Sequence, residues 1–174
     1  VRREGQEWSV VTRESYREAM ARLGAAVNVI TTDGPAGKRG FTASAVCSVT
    51  DDPPTLLVCC HRFNDSHAAL VGNRVMCINT LGATQQHISN VFAGLTGQEG
   101  ESRFDAASWY TLETGAPALH GAVVSFDTRV AQLTEIGTHT VLFGEVLAIR
   151  HGFERDALIY FARAYHPVTH PIAS

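Results

Sequence analysis

The side chains of this 174-residue chain that could do chemistry are eight histidines, four cysteines and one hydroxyl-rich run. The run is Gly40-Phe41-Thr42-Ala43-Ser44-Ala45-Val46-Cys47-Ser48-Val49-Thr50, followed shortly by Pro53-Pro54. Small residues and hydroxyls alternate along what reads as a strand, Phe41 to Val49, so a flat polar ligand can approach its main chain. Proline cannot donate to a sheet ladder, so the pair ends this strand and Thr55 to His61 starts another. The corner between them is a candidate ligand site. The histidines do not spell a metal centre: His166 and His170 are four apart, but Pro167 and Pro171 oppose the helix that would bring them together. His139 stands two residues after Gly137 at the start of a long strand, on the face of Val141 and Phe143, a position open to a core or a ligand role. Cys47, Cys59, Cys60 and Cys77 contain no Cys-x-x-Cys pair, and neighbours Cys59 and Cys60 point to opposite faces of a strand. They read as buried free thiols.

Two glycine-rich segments, Gly34 to Gly40 and Gly94 to Gly100, lack the spelling of a nucleotide loop. The first has Lys38 followed by Arg39 rather than Ser or Thr, and neither carries Gly-x-Gly-x-x-Gly between a strand and a helix. No Gly-x-Ser-x-Gly elbow and no acid/base carboxylate pair is present, so hydrolysis has little support. Chemistry carried by a bound cofactor fits better, the protein supplying orientation and electrostatics.

The elements that must position these groups are mostly strands. After Thr12 as N-cap, Tyr16, Ala19, Met20 and Leu23 give Arg13 to Leu23 a helical period ending at Gly24. Strands are predicted over Ala26 to Thr32, Phe41 to Val49, Thr55 to His61 and Val75 to Leu81, with short helices over Asp65 to Val71 and Gln85 to Phe92. Two long strands, Ala122 to Leu133 and Thr138 to Ile149, are joined by Thr134 to Gly137, and a last strand runs from Ala157 to Ala162. Gly94 to Ser102 reads as a mobile loop. Short strands in quick succession favour antiparallel pairing, and the fold class is mainly β: a closed or nearly closed barrel with a few peripheral helices.

Composition bounds the rest. With 45% hydrophobic and 18% charged residues the chain is expected to form one globular domain over 1–174, with tails at 1–12 and 168–174. A net charge of −3 gives no basic field for a nucleic acid or an anionic membrane. No apolar stretch of roughly 18 residues and no charged-then-apolar leader is found, and a cytoplasmic protein is expected.

More specifically, Gly24 to Gly34, Gly40 to Thr50 with Pro53-Pro54, Cys77-Ile78-Asn79-Thr80-Leu81, Phe92-Ala93-Gly94, Arg103-Phe104, Gly137-Thr138-His139, Leu158-Ile159-Tyr160-Phe161 and Tyr165-His166-Pro167 occur in this order. The set resembles the short-chain flavin reductases, the reductase components of two-component flavin monooxygenases, whose members serve 4-hydroxyphenylacetate hydroxylation and pyrimidine degradation. The resemblance spans Tyr16 to Val168. It implies a flavin-binding split β-barrel, typically a homodimer, in which NADH or NADPH reduces FMN or FAD and the reduced flavin passes to a separate monooxygenase. It places Thr42, Ala43, Ser44 and Ala45 along the polar rim of the isoalloxazine ring, with Cys47 and Ser48 continuing that wall and Phe92 among the cofactor contacts. For the ribityl phosphate the family pattern has Asn and, three residues later, Ser. Here those positions read His61 and Asn64, with Ser66 two beyond and Arg62 as a counter-charge. His139 is implied as the catalytic contributor near flavin and nicotinamide, with Tyr165 and His166 in the same pocket. A non-enzymatic flavin-binding electron carrier on the same barrel is the alternative.

Overall fold

A computed structural model describes residues 10–170, apart from Glu154. In chain order its elements are α1 (Arg13–Met20), β1 (Ala25–Ala26), β2 (Asn28–Thr32), β3 (Arg39–Ala43), β4 (Val46–Asp51), β5 (Pro54–His61), α2 (His67–Asn73), β6 (Val75–Thr80) and α3 (Gln86–Phe92). A 3-10 helix follows over Gly100–Ala106, and then β7 (Trp109–Thr111), β8 (Pro117–Leu119), β9 (Val124–Ile136), β10 (His139–His151), β11 (Ala157–Phe161) and β12 (Ala164–Val168). Beyond Val10 to Thr12 and Val168 to His170, the expected tails lie outside the described residues.

Seven strands form one antiparallel sheet in the order β3-β2-β6-β9-β10-β5-β4. Strands β3 and β4 are consecutive in the chain yet occupy opposite edges, and only Ser44 and Ala45 connect them. Laid flat, six inter-strand gaps would separate those edges by about 29 Å. The link from Ala43 to Val46 can span only about 10 Å. The sheet must therefore curl until its edges meet, and because no ladder joins β3 to β4 the barrel is split there. The strand expected over Phe41 to Val49 is thus two strands. The Val46 N–H donates to the Ser44 carbonyl at 3.0 Å and the Cys59 N–H to the Ala45 carbonyl at 3.1 Å, which turns the chain off β3 and onto β5.

The barrel interior holds Ile30, Phe41, Val58, Leu70, Met76, Ile78 and Leu142, all buried. A second core lies outside it, where Val27 and Val29 pack with Ile88, Phe92, Phe104, Leu119 and Leu158. Strand β2 serves both cores and is buried along its whole length, so it shows no polar alternation. The small sheet β1-β11-β12 lies beside this second core, to which Leu158 of β11 and Tyr165 of β12 contribute. Strands β9 and β10 form a long hairpin whose turn is Gly137-Thr138, with Gly137 at φ 56°, a conformation that glycine adopts without a Cβ penalty. Helix α1 carries the expected cap, the Ser15 N–H donating to the Thr12 hydroxyl at 3.0 Å. None of its residues is buried.

The segment read as a mobile loop, Gly94 to Ser102, runs into the 3-10 helix, and Arg103 there is buried. Its guanidinium donates to the Gly40 and Gln98 carbonyls, each at 3.2 Å, and pairs with Asp65 at 2.9 Å. One side chain so ties β3, the 94–99 loop and the loop before α2. No helix among the described residues is long and apolar enough to cross a membrane.

Candidate functional site

The split between β3 and β4 opens into two adjoining cavities. The larger, of about 850 Å³, runs between the C-terminal half of α1, with Arg17 and Met20, and Leu23 just after it, and the start of β4 and middle of β5, with Cys47, Leu57 and Cys59. The smaller, of about 410 Å³, is bordered by Thr42, Ala43, Ala93, Leu95 and Tyr165. Ser44, Tyr160 and Arg163 border both, so the two form one trench with Ser44 at its midpoint. Its walls carry Arg17 and Arg163, and Glu18 of α1 pairs with Arg163 at 2.9 Å.

Local chemistry explains the walls. Edge strands β3 and β4 present main-chain groups that no neighbouring strand takes up, and Ala43, Ser44 and Ala45 leave that edge accessible. The Thr42 hydroxyl is committed to the Ser89 carbonyl at 2.7 Å. The Ser89 hydroxyl in turn meets the Tyr165 hydroxyl at 2.8 Å, and Tyr165 stacks edge-on against Tyr160 at 5.2 Å between ring centroids. Strand β3, helix α3 and the β11-β12 hairpin are thereby held in fixed relation. The hairpin turns through Ala162 at φ 51° and Arg163 at φ 63°, and the Ala162 N–H donates to the Ala21 carbonyl at 2.7 Å.

Of the residues singled out in the sequence, Thr42, Ala43, Ser44, Ala45, Cys47 and Tyr165 come together along this trench. Ser48 is exposed on β4 beyond Cys47. His61, Arg62 and His139 form a separate group at the far end of the β5-β10 pair, where His139 is directly opposite His61. Their rings meet edge to face at 4.9 Å. His61 lies two residues along the outer face of β5 from Cys59, about 7 Å from the trench wall. The Phe63 N–H donates to His61 Nδ1 at 3.2 Å, which leaves the neutral ring its proton on Nε2. His139 Nδ1 is 2.9 Å from the Thr138 hydroxyl oxygen, and His139 is exposed on the outer barrel face, the face of the half-buried Val141 and Phe143. Arg62 pairs with Glu135 at 3.2 Å, both exposed.

The remaining singled-out residues serve the frame. The Asn64 side-chain oxygen accepts from the Ser66 N–H at 2.9 Å, and the buried Ser66 hydroxyl donates to the Gly40 carbonyl at 2.9 Å. Phe92 is buried in the second core, its ring 5.2 Å from Phe104 and 5.5 Å from Trp109. His166 neighbours Tyr165 on β12, so it faces the opposite side, where its Nε2 lies 3.1 Å from the Phe161 carbonyl. Sequence reasoning missed Tyr160, Arg163, Arg17 and Cys59 as trench residues. Nothing local marks them, because the β11-β12 turn that brings Tyr160 and Arg163 to the trench contains neither Gly nor Asn.

All four cysteines are free. Burial pushes the Cys60 thiol up to about 12, with Asp65 and Cys59 adding to the effect. Burial first, then Asp127, raises Cys77 against a hydrogen bond to Asn79 that lowers it, and burial alone raises Cys59. These three thiols stay protonated near neutrality and are not nucleophiles. Among the described residues no group of three His, Cys, Asp or Glu side chains could hold a metal ion.

The profile of the flavin reductase like domain family matches residues 20–169. A protein of Pantoea ananatis named FMN reductase (NADH) RutF is 54% identical over 165 residues, which cover 95% of this chain and 86% of its own length. The structure of BorF, the flavin reductase component of a bacterial two-component tryptophan halogenase, superposes with a TM-score of 0.84 at 27% identity, covering 92% of this chain and 100% of BorF. The Streptomyces globisporus C-1027 NADH:FAD oxidoreductase SgcE6, in complex with NAD and FAD fragments, superposes with a TM-score of 0.83 at 26% identity, covering 96% of this chain and 100% of SgcE6. With the profile spanning most of the chain and the split barrel common to these structures, the protein belongs to the flavin reductase like domain family.

Proposed function

We propose that the protein is an NADH-dependent flavin reductase that takes FMN or FAD into the trench at the barrel split and supplies reduced flavin to a separate monooxygenase. The observation that carries this reading is the trench itself: an unpaired strand edge with small side chains, walls that carry Arg17 and Arg163, and two adjoining cavities of about 850 and 410 Å³. These features fit a flavin. A planar ring with a polar rim needs main-chain donors and acceptors at close approach, which Ala43, Ser44 and Ala45 allow, and its phosphate needs positive charge. The names borne by the relatives, FMN reductase (NADH) and NADH:FAD oxidoreductase, support the same assignment.

When bound, the flavin supplies the chemistry by accepting a hydride at N5 from nicotinamide C4. The protein contributes orientation, so no side chain need act as a base. Thr42, its hydroxyl already engaged by Ser89, offers its main chain, whereas Ser44 at the midpoint offers a hydroxyl as well. Tyr165, held by Ser89, closes the smaller cavity from the side of β12. We assign His139 to the reaction, with Nε2 as the nitrogen available to a ligand because Nδ1 is engaged by Thr138, and His61 and Arg62 to the adjoining polar end. A homodimer is part of the proposal, supported by apolar side chains left exposed on the barrel, among them Val49, Ile136, Leu147 and Ile149. A cytoplasmic location is part of the proposal, supported by the four free thiols.

The test is steady-state NADH oxidation, followed by its near-ultraviolet absorbance, with free FMN and with free FAD. Loss of NADH over many equivalents is expected, and oxidation that stops after one equivalent would instead identify a flavin-binding electron carrier. Light scattering of the purified protein checks the dimer.

A further inference from the structure

We propose that Arg163 is the phosphate anchor of the trench and that Glu18 of α1 occupies it in the free protein as a built-in competitor; this rests on the reading of the trench as a nucleotide site. Among the described residues Arg163 is the only charged one bordering both cavities, so its guanidinium can reach a phosphate lodged in either. It projects from a two-residue hairpin turn with both residues at positive φ. Such turns normally draw on Asn and Gly, and Ala162 and Arg163 are held there against their intrinsic preference. Nothing local favours that choice, since an Asn-Gly turn would join the same strands without strain. An Arg held at positive φ on the wall of a cavity is the pattern expected where its charge serves a ligand.

The second half of the inference concerns α1. This helix buries none of its residues and leaves Tyr16, Met20 and the following Leu23 substantially exposed. Two of its links run to the same turn: the Ala162 N–H donating to the Ala21 carbonyl, and Arg163 Nη2 lying 2.9 Å from Glu18 Oε2. Both side chains of that ion pair are more than half exposed, at 62% and 58%, so it is weak enough for a phosphate to displace. A phosphate offers Arg163 a bidentate, charge-assisted partner in place of the single carboxylate contact. Nucleotide entry would then release Glu18 and free the end of α1 that walls the larger cavity.

The phosphate could belong to the flavin or to the dinucleotide, and two probes distinguish them. FMN binding is read by flavin fluorescence, and ADP-ribose binding by calorimetry, each in the absence of turnover. Arg163→Gln should weaken one of the two by roughly five- to tenfold, with Arg163→Lys intermediate because a lysine retains the charge but not the fork. Glu18→Gln should tighten the same ligand by about two- to fivefold, the equivalent of an exposed ion pair. The surface variant Arg129→Gln, which loses a charge paired with Glu145 outside the trench, should leave both affinities unchanged. If the wild-type protein binds both probes and neither Arg163→Gln nor Glu18→Gln alters either, the anchor is overturned while the nucleotide reading stands. Tightening absent in Glu18→Gln but weakening present in Arg163→Gln overturns the competitor alone. If the wild type binds neither probe, the reading of the trench fails and the anchor with it.

Discussion

The trench at the barrel split and the histidine cluster at the far end of β5 and β10 share a strand face but are built in opposite ways. The trench is made of what is missing: side chains reduced to methyls and hydroxyls at Ala43, Ser44 and Ala45, and a ladder left unformed between β3 and β4. The cluster is made of what is present: His61 and His139 set opposite each other by strand register and held by the Phe63 N–H and the Thr138 hydroxyl. The first arrangement suits binding of a flat molecule through its edges and the second suits proton handling or orientation. A reaction whose chemistry lies within its bound nucleotides needs much of the former and little of the latter.

The sharpest way to break this comparison is to fill the trench. Ser44→Phe places a ring where both cavities meet, at an exposed position that the fold tolerates, and should weaken FMN binding by roughly 100-fold, read by fluorescence titration. Binding within a factor of two of wild type would move the flavin elsewhere. Next in size is Arg103→Ala, which removes the tie among β3, the 94–99 loop and Asp65 and should cost about 2 kcal/mol in urea unfolding, because the Gln98 carbonyl and the Asp65 carboxylate lose the guanidinium and the Gly40 carbonyl is left with the Ser66 hydroxyl alone. Flavin affinity should fall with it, since β3 forms the trench wall.

His139→Ala tests the other region. It should lower NADH oxidation by roughly tenfold with FMN binding retained, the signature of a group that acts in the reaction and not in ground-state flavin binding. Unchanged turnover would leave the trench as the entire active site. The gentlest effect is on stability. The raised thiols Cys60 and Cys77 stay protonated when folded, whereas in the unfolded chain they ionise near pH 9. The unfolded state therefore binds fewer protons above that pH, and stability is fully present below it and is lost as pH rises. The two together should cost about 1 kcal/mol near pH 9, read by denaturant titration.

Much of the frame was legible in the residues. The Thr12 cap, the stop at Pro53-Pro54, the glycine turn before His139 and most of the strands lie where local propensity puts them, because each depends on a few neighbouring residues. Three misreadings share a cause. Phe41 to Val49 reads as one strand because nothing local marks Ser44-Ala45 as a crossing between sheet edges. Phe92 belongs to a cluster with Phe104 and Trp109 that brings together distant parts of the chain. Gly94 to Ser102 reads as a loose loop because its anchor, Arg103, finds its partners at Gly40 and Asp65, far off in sequence.

By itself the sequence determined the class of the molecule, most of its strands and the hydroxyl-rich corner, since period, turn chemistry and side-chain size are local properties. Only the tertiary structure decided that this corner lies on a split, that Tyr160 and Arg163 complete its wall, and that His61 and His139 stand apart from it. Those outcomes depend on how seven strands curl to let a two-residue link join opposite edges, a closure condition on the whole sheet that no segment carries alone.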